Sequence, residues 1–250
     1  MTIFVPFYNV PAGEWIHFFI ALSGILLLVT TAETMRLKLG WNPETSRKVV
    51  HIVTGLVVLI TPRLFTNKMP LIILALIFLF FTISGLLFNR FKSIHITARK
   101  SYGTVFYPLT FLVLVLCCWP DYQAVVIVSM LILALADAAA AICGRIVPNP
   151  HEYILGKDKK SLAGSAAMFV ASWLIVFFIL PVYLHFDSID AGVTELVWYS
   201  SVTALVATVL EAVSWRGSDN LSAPLGAAFI LTFLLTNSTA ANLQLTVGIG

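Results

Sequence analysis

Apolar runs broken by short polar or basic stretches recur eight times along the 250 residues. They fall near 14–35, 49–66, 69–88, 103–120, 123–146, 163–185, 194–214 and 222–237. A helix needs about 20 apolar residues to cross a bilayer. In lipid the backbone must satisfy its own hydrogen bonds, so each run is predicted to be a helix. The second and last runs are the short ones. The last reads either as a half-helix or as a helix that continues into "LQLTVGIG". The expected fold is all-α: a polytopic membrane bundle of seven or eight spans, forming a single domain over residues 1–250.

Composition agrees with the pattern. Hydrophobic residues make up 59% and charged residues 11%, against about 45–50% and about 25% in soluble domains. No basic tract interleaved with aromatics points to nucleic acid, so none is expected as a partner. Cys117, Cys118 and Cys143 lie inside apolar segments without metal-ligand spacing and read as packing residues. The first Lys or Arg is Arg36, and no small-residue cleavage pattern precedes it, so the first run reads as a span and not as a leader.

Charge sets the expected orientation. Arg36, Lys38, Arg47 and Lys48 follow the first run, and Arg90, Lys92, Arg99 and Lys100 follow the third. Arg145, Lys157, Lys159 and Lys160 follow the fifth, and Arg216 the seventh. With eight spans and the N-terminus outside, these 13 of the 15 basic residues face the cytoplasm, leaving Arg63 and Lys68 outside.

Ionisable residues within spans are costly and are functional candidates for that reason. Glu33, His51, Asp137 and Glu211 each lie within two or three turns of the expected inner end of a span, which brings them to one depth beside the basic loops. In "DAAAAICGR", Asp137, Ala141 and Arg145 share a helical face. The small residues there, Gly144 included, permit close helix approach. This stretch reads either as packing around an Asp137–Arg145 pair or as a carboxylate for Mg²⁺ or a proton. Mg²⁺ takes one or two carboxylates plus substrate phosphates, and Glu211 and Asp219 are further ligand candidates. "GKDKKSLAGS" (156–165) reads either as a solvated positive-inside loop or as a polyphosphate site. In the second reading Ser161 caps the next helix, whose N-terminus offers free N–H groups to an anion. The GxxxxGK[ST] spacing of a phosphate-binding loop is absent. "RKVVHI" (47–52) puts two cations and His51 at a span entrance, and the tyrosines of "SYGTVFYP" (101–108) suit an interfacial aromatic belt. "SDNLSAPLG" (218–226) is a polar turn with an expected N-cap at Ser222. His17, His95, His151 and His185 show no ligand spacing.

"RKVVH", "GTVFYP", "DAAAAICGR", "GKDKKSLAGS" and "EAVSWRGSDNLSAPL" occur in that order over residues 46–226. As an ordered set they resemble the CTP-dependent lipid-alcohol kinases: phytol, farnesol and dolichol kinases and the fungal CTP-using diacylglycerol kinase. More distantly they resemble the phosphatidate cytidylyltransferases. The length is most similar to the compact phytol kinase branch. One position departs. The family pattern places a carboxylate immediately before the glycine of the lysine loop, a segment written here Lys159, Lys160, Ser161, Leu162, Ala163, Gly164, Ser165. Ala163 cannot supply it, and Glu152 and Asp158 stand nearby out of register.

The resemblance implies transfer of the γ-phosphate of CTP, with Mg²⁺, to the hydroxyl of a prenol or other lipid alcohol at the cytoplasmic interface. Arg47, Lys48, Arg145, Lys157, Lys159, Lys160 and Ser161 would hold the phosphates. Asp137, Glu211 and Asp219 would hold the metal. Asp137 or His51 would take the alcohol's proton, and Asn220, Gly164 and Ser165 would support the site. A CDP-lipid-forming cytidylyltransferase is the alternative, and a transporter or non-catalytic membrane protein a further one. Acceptor chain length and oligomeric state are left open.

Overall fold

The computed structural model of the chain describes residues 10–87, 102–155, 158–184 and 191–247, with side chains up to 237. The helices are α1 (Ala12–Leu39), α2 (Pro43–Val57), α3 (Thr61–Leu64), α4 (Lys68–Leu87), α5 (Gly103–Cys118), α6 (Gln123–Leu131), α7 (Asp137–Ile146), α8 (Leu162–Leu184), α9 (Val193–Val213) and α10 (Asp219–Val247). Two-residue strands β1 (Glu152–Tyr153) and β2 (Lys160–Ser161) pair antiparallel.

Six helical segments are long and apolar enough to cross a membrane, and α5 is a shorter apolar one. The polytopic helical bundle read from the sequence is therefore present. The second expected span is a broken one: α2, a 3₁₀ turn over Val58–Ile60, and α3. Pro62 explains the break, because it lacks an N–H for the carbonyl four residues back and its ring crowds that turn. This segment also starts six residues before its apolar run. Asn42 accepts a hydrogen bond from the Glu44 amide at 2.9 Å and Pro43 occupies the first helical position, a strong start signal in polar sequence. Ser46, Arg47 and Lys48 consequently ride on the helix itself. The last helix runs to Val247, which decides for continuation over a half-helix.

The core centres on the segment Gln123–Ile146, where Val125, Val126, Ile127 and Val128 have no exposed surface. It packs against α2, α8 and α10. Between α6 and α7 the backbone forms a π-helical turn, Ile132–Ala136, a feature that re-aims the residues after it. Asp137 is the next residue.

Close approach fixes two helix pairs. A Cβ on Gly164 would stand 3.0 Å from the carbonyl oxygen of Ala140, so α8 lies against α7 at backbone distance. A Cβ on Gly55 would collide with Ala134, so α2 lies directly on the π turn. The small-residue packing expected of "DAAAAICGR" is what holds Asp137 between these two neighbours. All three cysteines are free thiols.

Candidate active site

A polar cavity of about 960 Å³, counting its open mouth, lies between α2, α7, α8, α9, the start of α10 and the β-hairpin. Arg47, Lys48, Arg145, Lys159 and Lys160 line it, together with Glu44, Asp137, Glu152, Glu211 and Asp219. Five cations thus face five carboxylates, so the cavity is formally neutral.

The pairing is specific. The Lys48 ammonium donates to Asp137 at 3.0 Å, joining α2 to α7. This replaces the Asp137–Arg145 pair expected from the sequence: Arg145 lies two turns on, exposed, and no carboxylate binds it among the described residues. Lys160 donates both to Glu211, in a short contact, and to Asp219 at 3.3 Å. The three side chains are 15%, 7% and 22% exposed. Burial alone pulls the Lys160 pKa down, but the Asp219 and Glu211 carboxylates outweigh it and hold the ammonium above its ordinary value. Arg47 is held by Glu44 in a two-pronged contact at 2.7 and 3.3 Å. Lys159 pairs with Glu152 at the rim, where both are half exposed.

The hairpin explains how the lysine loop reaches the cavity. Glu152 stands opposite Ser161 and Tyr153 opposite Lys160, so residues far from α9 in sequence are turned towards Glu211. The expectation of free N–H groups at the start of α8 is corrected here. The Leu162 amide donates to His151 at 3.0 Å, Ala163 to Pro150 at 3.3 Å, and Gly164 to the Ser161 hydroxyl at 3.1 Å. Ser161 does cap the helix, and the preceding loop folds back over the other donors. An anion here meets side chains, not a bare helix end. Ser161, Gly164 and Ser165 still line the wall, with Ser165 in a short contact with the Tyr153 hydroxyl. Lys157 lies outside the described residues.

Other expectations are redistributed. Glu33 pairs with Arg36 on its own helix at 2.6 Å and lines neither cavity described here. Asn220 turns away from the chamber: its amide donates to the Gly103 carbonyl at 2.8 Å and its own carbonyl accepts from Thr110 at 2.7 Å, tying α10 to α5. Ser222 is not the N-cap, since α10 has already begun at Asp219; its hydroxyl donates back to the Ser218 carbonyl at 3.0 Å. Tyr107 is no belt residue. It is buried, stacked on the His51 ring at 4.2 Å, and donates its hydroxyl hydrogen to the His51 carbonyl at 3.0 Å.

His51 is not among the residues that line the polar cavity. It lines a second, almost wholly apolar groove between α1, α2, α3, α4 and α5, with about 1160 Å³ of space counting its open side. Arg47 belongs to the walls of both. The two spaces therefore share Arg47 as a wall, one turn of α2 from His51.

Glu44 is a site residue that the sequence reading passes over, while Glu152 reads there as out of register and Tyr107 as a belt residue. Glu44 had a legible signal, its place three residues before Arg47 on one helix face. Glu152 and Tyr107 owe their places to the hairpin and to the α2–α5 packing.

The donor set fits Mg²⁺ at one place. Among the described residues no three acid, imidazole or thiol groups cluster closely enough to hold an ion alone. Glu211 and Asp219, however, already converge on one cation, the Lys160 ammonium. Two carboxylates completed by phosphate oxygens are a usual Mg²⁺ environment. Asp137 stands apart on Lys48.

The chain is similar to a phytol kinase of Synechocystis sp., with 33% identity over 225 residues, 86% of this chain and 90% of that protein. It is 29% identical to a probable chloroplastic phytol kinase of Triticum aestivum, over 87% of this chain and 76% of that protein. It is 30% identical to a probable phytol kinase 2 of Glycine max, over 77% and 66% respectively. No family model and no solved structure matches it.

Proposed function

We propose, from the premise that the chain belongs to the phytol kinase family, that it is an integral-membrane kinase phosphorylating the hydroxyl of a prenol, with CTP as donor and Mg²⁺ as cofactor. One observation carries the reading: a cavity of paired cations and carboxylates and an apolar groove share Arg47 as a wall. A prenol is a molecule of those two halves. Its tail belongs in the groove and its hydroxyl at the seam, facing a triphosphate in the chamber.

The neutral chamber suits a metal–nucleotide complex better than a bare anion. Binding would proceed by exchange: Lys160 leaves Glu211 and Asp219 to a cation and turns to the phosphates, joined by Lys48, Arg47, Lys159 and Arg145, which is unpaired among the described residues. Lys157 is the remaining candidate. Mg²⁺ held by Glu211 and Asp219 would neutralise charge on the phosphate oxygens. Phosphoryl transfer asks a protein mainly for positioning and charge stabilisation. The acceptor oxygen bonds to the γ-phosphorus, the bond from that phosphorus to the bridging oxygen breaks, and CDP leaves with that oxygen. The hydroxyl proton passes to His51, the imidazole that lines the groove. Asp137, engaged by Lys48, holds that cation against α7. CTP over other nucleotides rests on the motif resemblance, and the cytoplasmic placement on the distribution of Lys and Arg in the loops.

The test is purified protein in detergent with Mg²⁺ and either γ- or α-labelled CTP. The acceptors are phytol, farnesol, a polyprenol, diacylglycerol and phosphatidate. γ-Label in an organic-soluble product from a prenol is the expected result. α-Label in that phase would make the protein a cytidylyltransferase. Absence of both, with label from ATP also absent, would remove the kinase reading.

A further inference from the structure

The apolar groove has a built end. It starts at Ser46, Arg47 and His51 and stops at Leu64, Phe65 and Leu71. Along α2 and α3, His51 to Phe65 is fourteen residues, or roughly 21 Å at 1.5 Å per residue. On the facing wall, Leu71 to Thr82 of α4 covers eleven residues, or roughly 17 Å. A diterpenyl chain has a backbone of about 16 carbons, and since a zigzag bond of ~1.5 Å advances it by roughly 1.3 Å, it extends roughly 20 Å.

The end is also fixed. Phe65 is 2% exposed and Leu71 1%. The Phe65 ring meets His17 of α1 edge-on at 6.2 Å, and His17 is hydrogen-bonded through Nδ1 to the Leu64 carbonyl at 2.9 Å. The next turn is clamped by the Glu14 carboxylate, which accepts from the Thr66 amide at 3.0 Å, the Thr66 hydroxyl at 2.6 Å and the Asn67 amide at 3.2 Å. Glu14 is 6% exposed, and its acceptor capacity is spent on this one turn. A carboxylate and an imidazole far from the polar cavity thus serve one local purpose, keeping α3 and Phe65 against α1.

We propose that the groove is the acceptor-tail site and that Phe65, held by His17 and Glu14, is the stop that sets chain length, with a twenty-carbon prenol filling the space from His51 to the stop. The inference rests on the prenol kinase reading and adds the residues that select the acceptor. Ala75, 2% exposed, lies on the α4 wall between Leu71 and Phe78, at mid-length. A large side chain there would divide the groove.

Two measurements test it, both on the full chain. The first needs no turnover: geranylgeraniol carrying a diazirine at its terminal isoprene unit is photolysed with the wild type and the adducts mapped. Label is expected on Leu64, Phe65 or Leu71, competed by phytol. Label confined to outward-facing Phe80 and Phe229, 75% and 71% exposed, would overturn the proposal. The second is the acceptor profile over geraniol, farnesol, geranylgeraniol and a longer polyprenol. Losing or gaining room for an apolar group changes kcat/KM by about tenfold or more. Ala75→Phe should therefore lose geranylgeraniol at least that much while keeping geraniol. Phe65→Ala should gain the longer polyprenol relative to geranylgeraniol, and Phe80→Ala should keep the wild-type profile. Unchanged profiles in both groove variants would overturn the stop while leaving the kinase reading intact. Label at the groove floor without phosphorylation of any prenol would remove the kinase reading and leave the tail site standing.

Discussion

Lys160→Met isolates the contact on which the chamber's electrostatics depend. Lys160 is 15% exposed and is shared by Glu211, 7% exposed, and Asp219, 22% exposed. Methionine keeps most of the stem and removes the charge, leaving two carboxylates facing each other. Breaking a largely buried pair by removing one partner costs about 3–5 kcal/mol. In a chain of this size each kcal/mol moves Tm by about 2–4 °C, so a fall of roughly 6 °C or more is expected. Millimolar Mg²⁺ should recover more of that loss in the variant than it adds to the wild type, because in the variant no ammonium competes for the two carboxylates. A ligand at a hundred times its Kd returns about 2.7 kcal/mol. The assay is thermal unfolding in detergent, followed by size-exclusion recovery, with and without Mg²⁺. Lys159→Met is the comparison: its pair with Glu152 is half exposed on both sides, and an exposed pair is worth at most about 1 kcal/mol. Equal effects of the two variants, or an equal Mg²⁺ response in wild type and Lys160→Met, would refute the shared-cation account of Glu211 and Asp219.

The pH dependence of the same contact has a definite sign. The folded state holds the Lys160 ammonium above the ordinary lysine value of 10.5, so its contribution is complete below that pH and is lost as pH rises through the raised value. The stability gap between wild type and Lys160→Met, read by the same unfolding assay, should narrow only on the alkaline side of 10.5. Asp137→Asn should give monodisperse protein with turnover lowered at least about a hundredfold, since Lys48 loses its anchor and the chamber a charge; full activity would remove Asp137 from the machinery. His51→Asn should lower kcat by about 10²–10⁴ with little change in acceptor KM, the signature of a lost proton acceptor. Tyr107→Phe keeps the stack on His51 and loses the hydroxyl that donates to the His51 carbonyl at 3.0 Å and accepts from Thr54 at 3.1 Å, so a stability loss of about 1–2 kcal/mol and a smaller loss of kcat are expected from parallel unfolding and rate measurements. Gly164→Val should separate α8 from α7, because its Cβ already meets the Ala140 carbonyl at 3.0 Å. Both stability and turnover should fall.

The order of the apolar helices and, roughly, their number were written in the sequence, because membrane segments are selected by length and apolarity, both of which are local. So was the face shared by Asp137, Ala141 and Arg145, since helical periodicity follows from the residues alone. The start of α2 was legible too, in Asn42 and Pro43, but an apolar-run reading passes over a helix that begins in polar residues. Partnership was not local. Whether Asp137 meets Arg145 on its own helix or Lys48, eighty-nine residues away, depends on α2 lying against the π turn, which Gly55 permits. That Glu33 pairs within its helix while Glu211 serves the chamber depends on rotations set by packing. The N–H groups of α8 were free in the sequence and are taken in the fold, because the loop before β1 turns back over them. The groove from His51 to Phe65 left no trace in a run of residues that are apolar on every face. Its length is the distance between two turns of one broken helix, and its end is held by Glu14 and His17 from another, so only the tertiary structure could define it.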